Sequence, residues 1–143
     1  MKFIGSFVLV AAFVVSGCGG SDSGGGLPTA PSANVPFSAT DLRVGTGAEA
    51  TVGRGANVRY AGWLYSTTAA DNKGTPFDAN NSYPFVVGTG VIAGFSQGVQ
   101  GMRVGGIRRV VIPPNLGYGA AGAPPSIPGN ATLLFEIELL AVQ

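Results

Sequence analysis

The chain predicts an α+β domain, a twisted antiparallel sheet wrapped around one short helix, and two observations carry that expectation. Alternating apolar residues recur in several short segments, whereas only one segment has the three-to-four-residue spacing of a helix. Several strands with a single helix leave one end of the sheet uncovered, which is where a pocket forms.

The first candidate strand is Asp41 to Val44, followed by a Gly-rich loop from Gly45 to Gly55. In Asn57 to Leu64 the residues Val58, Tyr60, Gly62 and Leu64 share one face. Ser66 to Gly74 is polar and long enough to be a surface loop, and Tyr83 to Val87 is a further short strand. The helix is read from Phe95, Val99 and Met102 at i, i+4 and i+7, with Gly98 and Gly101 weakening it. Ile107 to Ile112 is an apolar run ended by Pro113 and Pro114. Thr132 to Leu140 places Leu133, Phe135, Ile137 and Leu139 opposite Glu136 and Glu138. Between these last two strands lies a Pro/Gly loop carrying Tyr118 and Ile127. Arg108 and Arg109 are adjacent on a strand, face opposite sides, and read as solvated charges.

Upstream of this domain the composition changes. Met1 and Lys2, the apolar run Phe3 to Val15, and then Ser16, Gly17 and Cys18 follow the order of an export signal. Val15-Ser16-Gly17-Cys18 resembles the bacterial lipobox, in which the cysteine is lipidated. Residues 1–17 are therefore expected to be a signal peptide, and residues 18–36 a lipidated Cys18 with a Gly/Ser/Pro tether. A flexible chain of that length reaches roughly 20 to 25 Å. The expected location is the bacterial cell envelope, anchored by lipid. Gly19 after the cysteine points to the outer membrane, facing the periplasm, in a Gram-negative cell. Residues 37–143 form the domain proper.

Composition excludes much chemistry. The chain has no histidine and one cysteine, so Ser/His, Cys/His and His-metal sites cannot be built. No metal or cofactor is expected. Loss of Lys2 with the signal leaves seven basic residues against seven acidic, a balance that argues against nucleic acid as a partner. With no heptad and no obvious dimer face, a monomer is expected.

Five motifs in order carry a family resemblance. Tyr60-Ala61-Gly62, Gly74-Thr75-Pro76-Phe77-Asp78, Val91-Ile92-Ala93-Gly94-Phe95, Gly117-Tyr118-Gly119 and Ala131-Thr132-Leu133-Leu134-Phe135-Glu136 together resemble an FKBP-type peptidyl-prolyl isomerase, over roughly residues 38–142. The resemblance implies the FKBP-like fold and a pocket with Phe95 as floor. Tyr60, Phe77, Phe135, Val91, Ile92 and Ile127 would be its walls, joined by Phe85 or Tyr83, which lie two apart on one strand face. Tyr118 would offer its hydroxyl, and Ile92 its backbone amide, to a substrate carbonyl. Asp78 would sit at the rim. Taken without the family, Tyr60 reads equally well as an ordinary buried tyrosine, and Asp78 as a turn or cap residue at a strand end.

The resemblance also implies proline-containing polypeptides as substrates and macrolides such as tacrolimus as ligands. Two departures stand out: Phe95 replaces the tryptophan of many members, and the run Ala79 to Pro84 is short and lacks the basic residue that usually partners the aspartate. The same apolar cup also suits a non-catalytic module that holds proline segments as a chaperone. A purely structural lipoprotein would need the rings only as core.

Overall fold

A computed structural model describes residues 35–143. The expected signal peptide, Cys18 and nearly all of the expected tether lie outside the described residues. Five strands, β1 (Ser38–Arg43), β2 (Gly55–Tyr65), β3 (Lys73–Val86), β4 (Ile107–Ile112) and β5 (Leu133–Val142), form one antiparallel sheet in the order β1-β4-β5-β2-β3. One helix, α1 (Ala93–Val99), packs on a face of it, and short 3₁₀ turns occupy Ala70–Asn72 and Pro114–Leu116.

The alternation in β5 sets the two faces. Leu133, Phe135, Ile137 and Leu139 are buried, with Leu133, Ile137 and Leu139 fully so. Their neighbours in register on β2 include Tyr60 opposite Ile137 and Gly62 opposite Phe135, so both strands direct their apolar faces to the same core. The central position of β5, hydrogen-bonded on both sides, accounts for its deep burial.

The third strand differs from expectation. It runs from Lys73 to Val86, where the sequence marks only Tyr83 to Val87, and it absorbs the last two residues of the expected Ser66–Gly74 loop. Pro76, Pro84 and the Asn/Ser run of residues 80–82 look like turn signals. They are tolerated because β3 is an edge strand, where a missing proline N–H need not break the ladder. Its register against β2 shifts at three places, and Asn57 and Ser82 exchange side-chain hydrogen bonds at 3.1 and 3.2 Å beside one of them. Asp78 accordingly stands within β3, opposite Gly62, and not at a strand end.

The glycines that weaken the helix by propensity are what let it sit. A Cβ on Gly98 would come within 2.7 Å of Val110 Cγ2, and one on Gly94 would collide with Ile112. These two residues, four apart, form a smooth stripe on α1 that lies directly against β4. Phe95 and Val99 are buried, as their spacing predicts, but the helix stops at Val99. Met102 is buried from the turn that follows.

Arg108 and Arg109 are not simply solvated. Arg108 Nε donates to Asp41 Oδ1 at 2.7 Å, and its Nη1 donates to the carbonyls of Gly98 and Gln100 at 3.0 and 3.1 Å. With its side chain 15 % exposed, Arg108 satisfies carbonyls at the end of α1 while tying β1 to β4. Arg109 faces the other side of the sheet and shares Glu136 with Lys73, both at 2.9 Å. The opposite-side geometry predicted for the pair holds; their solvation does not, because each meets an acceptor across the sheet or helix.

Burial alone would raise the Glu136 carboxyl, but hydrogen bonds from Lys73 and Arg109 outweigh it and hold the group below the usual carboxylate range. The stabilisation is therefore present above the unfolded-state value near 4.3 and is lost as pH falls through the lowered folded value. Glu136→Gln is expected to flatten the fall in stability below about pH 4, read by urea unfolding at several pH values. Gly98→Ala is expected to destabilise the fold by about 1 to 3 kcal/mol, through overpacking against Val110, in the same measurement at neutral pH.

Candidate active site

A cavity of about 620 Å³ opens between β2, β3, β5 and the N-terminal part of α1. Tyr60, Phe77, Asp78, Tyr83, Gly90, Val91, Ile92, Phe95, Tyr118 and Phe135 line it. Nine of the expected residues are thus brought together from three strands, loops and the helix.

Phe95 is the floor. It is only 4 % exposed and meets Tyr60, Phe85 and Phe135 edge-on, at centroid distances of 5.3, 5.6 and 5.2 Å. Phe77 stands at 89° to Phe135, 5.4 Å away, and Tyr60 at 89° to Tyr83, 5.8 Å away. Each such edge contact contributes about 0.5 to 1.5 kcal/mol beyond area burial. Gly62 makes the arrangement possible: a Cβ there would lie 2.7 Å from Phe77 Cζ and 2.8 Å from Phe135 Cε1.

Adjacent residues on a regular strand point apart, yet Phe77 and Asp78 both line the cavity. The reason is a bulge. Gly62 pairs with Asp78 and Trp63 with Pro76, so Phe77 is an extra residue on β3 and the alternation resets there.

Among the described residues Asp78 has no basic partner and is held by other donors. Tyr60 Oη donates to Asp78 Oδ2 at 2.7 Å, and the Ala79 N–H donates to Oδ1 at 2.9 Å. Burial, together with the bond to Asp78, drives the Tyr60 phenol well above its ordinary value, so it remains a neutral donor. The ring of Tyr60 lines the cavity while its hydroxyl is satisfied by Asp78.

Tyr118 differs from Tyr60. The residue is 40 % exposed, and its side chain makes no hydrogen bond among the described residues. Burial first, and then the nearby Asp78 and Tyr83, raise its ionisation, which keeps this hydroxyl protonated as well. The loop that presents it is fixed by its own backbone: Gly119 N–H donates to Pro114 O, Asn130 N–H to Gly119 O, and Ala123 and Ile127 exchange two bonds. Gly119 has a φ of +62°, which suits glycine after the tyrosine.

Two expected wall residues take other places. Ile127 is 4 % exposed and belongs to the core beneath the loop, away from the cavity lining. Phe85 lies behind the floor, against Phe95, while Tyr83 lines the cavity. Tyr83 and Phe85 do share a face and stack at 6.1 Å, but only the outer one reaches the opening. Gly90 was not foreseen; its φ of +74° is a backbone requirement with no periodic signal in the sequence. Ile92 precedes α1, its carbonyl accepts from Phe95 and Ser96, and its own N–H donates to no acceptor among the described residues. No cluster of three His, Cys, Asp or Glu side chains suited to a metal ion stands among the described residues.

Residues 47–140 match the family of FKBP-type peptidyl-prolyl cis-trans isomerases. The chain belongs to that family. It is an isomerase of the FKBP type, and members of this family bind proline-containing substrates and FK506-type ligands. An FK506-binding protein of Neisseria meningitidis serogroup A is 44 % identical over 103 residues, covering 71 % of this chain and 92 % of the relative. The mouse peptidyl-prolyl cis-trans isomerase FKBP2 is 53 % identical over 75 residues, 49 % of this chain and 54 % of the relative. Among solved structures, a peptidyl-prolyl cis-trans isomerase of Pseudomonas syringae pv. tomato superposes with a TM-score of 0.64 at 36 % identity, over 75 % of each chain. AtFKBP13 gives a TM-score of 0.64 at 33 % identity, over 75 % of this chain and 93 % of that one.

In this FKBP-type isomerase the Tyr60–Asp78 bond joins β2 to β3 at the rim. Tyr60→Phe is expected to cost about 1.5 to 3 kcal/mol of stability, the range for a hydrogen bond to a charged group, with the cavity rings retained. Urea unfolding gives the first quantity, and near-ultraviolet circular dichroism reports the second.

Proposed function

We propose that the ring-lined cavity accelerates rotation about Xaa-Pro bonds by favouring the twisted amide. Resonance gives a peptide bond a barrier of about 18 to 20 kcal/mol, and an Xaa-Pro bond isomerises unaided over tens to hundreds of seconds. In the twisted transition state the amide loses resonance and part of its dipole. Leaving water for an apolar site then costs it less than it costs the planar form. Phe77, Phe95 and Phe135 supply that site, with Tyr60 and Val91 completing the walls. The Ile92 N–H and the Tyr118 hydroxyl hold the substrate carbonyls, and Asp78 orders the rim through Tyr60.

A ~10⁴-fold acceleration needs only about 5.4 kcal/mol of differential stabilisation. A few ring contacts and one or two hydrogen bonds, at about 0.5 to 1.5 kcal/mol each, reach that sum. The observation that carries the reading is the pairing of an aromatic floor with two donors at its edge, Ile92 N–H and Tyr118 Oη, that no protein acceptor among the described residues consumes.

The sequence upstream of the domain supports a place of action. Lipidation of Cys18 would hold the isomerase on the bacterial envelope, with the outer membrane favoured by Gly19 in a Gram-negative cell, and its substrates would be exported proteins. It would work there as a monomer, and tacrolimus would compete for the cavity.

A Leu-Pro reporter peptide tests the mechanism. The purified protein is expected to accelerate its isomerisation, tacrolimus to inhibit it, and Tyr118→Phe with Phe135→Ala to abolish it while circular dichroism shows a retained fold. Peptide binding without acceleration would leave a holding module instead. Cys18→Ser is expected to move the protein from the membrane fraction to the soluble one, as followed by immunoblot.

A further inference from the structure

The cavity wall between β3 and α1 is a five-residue segment, Gly88 to Ile92, and three of its members, Gly90, Val91 and Ile92, line the cavity. Gly88 and Gly90 have φ values of +101° and +74°, so the segment carries no regular structure of its own. Both of its ends close on one residue. Ser96 Oγ accepts the Gly88 N–H at 2.6 Å, and the Ser96 N–H donates to Ile92 O at 3.2 Å. Ser96 is 8 % exposed, one of only two buried polar residues among those described, and it stands on α1 next to the floor residue Phe95.

A serine inside a helix is ordinarily neutral to unfavourable, because its hydroxyl competes for backbone groups. Here the hydroxyl has a specific backbone donor, which a buried polar group requires. We infer that Ser96 is a positioning residue for catalysis: by clasping Gly88 through its hydroxyl and Ile92 through its backbone, it fixes the direction of the Ile92 N–H relative to the Phe95 floor. The helix bond alone sets where Ile92 sits. The hydroxyl bond is what prevents the two-glycine segment from swinging away from the opening. This deepens, and rests on, the reading of the Ile92 N–H as the donor to the substrate carbonyl.

The test compares the full chain with Ser96→Ala and, as a control for general destabilisation, Leu139→Ala, a core truncation on β5 outside the cavity lining. Ser96→Ala is expected to lower kcat/KM about two- to twelve-fold, the span of one net hydrogen bond, with KM carrying the change. In ¹⁵N-correlated spectra it shifts the amides of Gly88, Gly90 and Ile92 and speeds exchange at Gly88. The control leaves all three where they are. In the unmodified protein, Gly88 exchanges more slowly than an open-loop amide, and the Ile92 amide shifts on titration with the Leu-Pro peptide.

Equal changes in KM for Ser96→Ala and Leu139→Ala would overturn the inference, as would open-loop exchange at Gly88 in the unmodified protein. A silent Ile92 amide during the peptide titration would remove the donor reading itself, even if Ser96→Ala still moved the Gly88 signal. The two failures are thereby distinguishable.

Discussion

The depth at which Phe95 sits depends on how closely α1 approaches β4. Gly94 and Gly98 leave no side chain between the helix backbone and Ile112 and Val110, and Phe95, on the adjoining flank of the helix, reaches Tyr60 on β2 and Phe135 on β5. Arg108 fastens that approach from the far end by filling the carbonyls of Gly98 and Gln100. A thicker layer here would lift the floor and close the cup from below. The helix loses propensity at its glycines and gains a fit that tertiary contact makes decisive.

The same economy of side chains recurs at Gly62. Absence of a Cβ there lets two phenylalanine rings meet at right angles over β2, with Phe95 below them. The cup is thus shaped as much by three glycines as by its rings. Around the opening, polar groups divide into two sets. Tyr60, Asp78, Ser96 and the Gly88 amide satisfy one another or a neighbouring amide, whereas the Tyr118 hydroxyl and the Ile92 amide do not. That division separates scaffold from the groups available to a substrate.

Much of this was legible in the residues. Alternation located β2 and β5, a continuous apolar run located β4, and the ordered motifs brought together the residues around Phe95, because these signals come from side chains that must be buried. Three things were not legible. Strand β3 before Tyr83 was hidden because edge position and register shifts override the meaning of Pro76 and Pro84. Ile127 and Phe85 are apolar in the right region, and apolar character alone does not tell a cavity wall from the core behind it. Gly90 and Ser96 act through backbone angles and one hydrogen bond, neither of which leaves a periodic trace.

Strand β3 has a bearing on how such an enzyme meets its substrates. Extended polypeptides are drawn to exposed sheet margins, where free amides and carbonyls invite an additional strand. One of this sheet's two borders is β3, fourteen residues long, and two prolines and three slips of register break it into short pieces. That margin therefore offers a passing chain little continuous backbone to pair with.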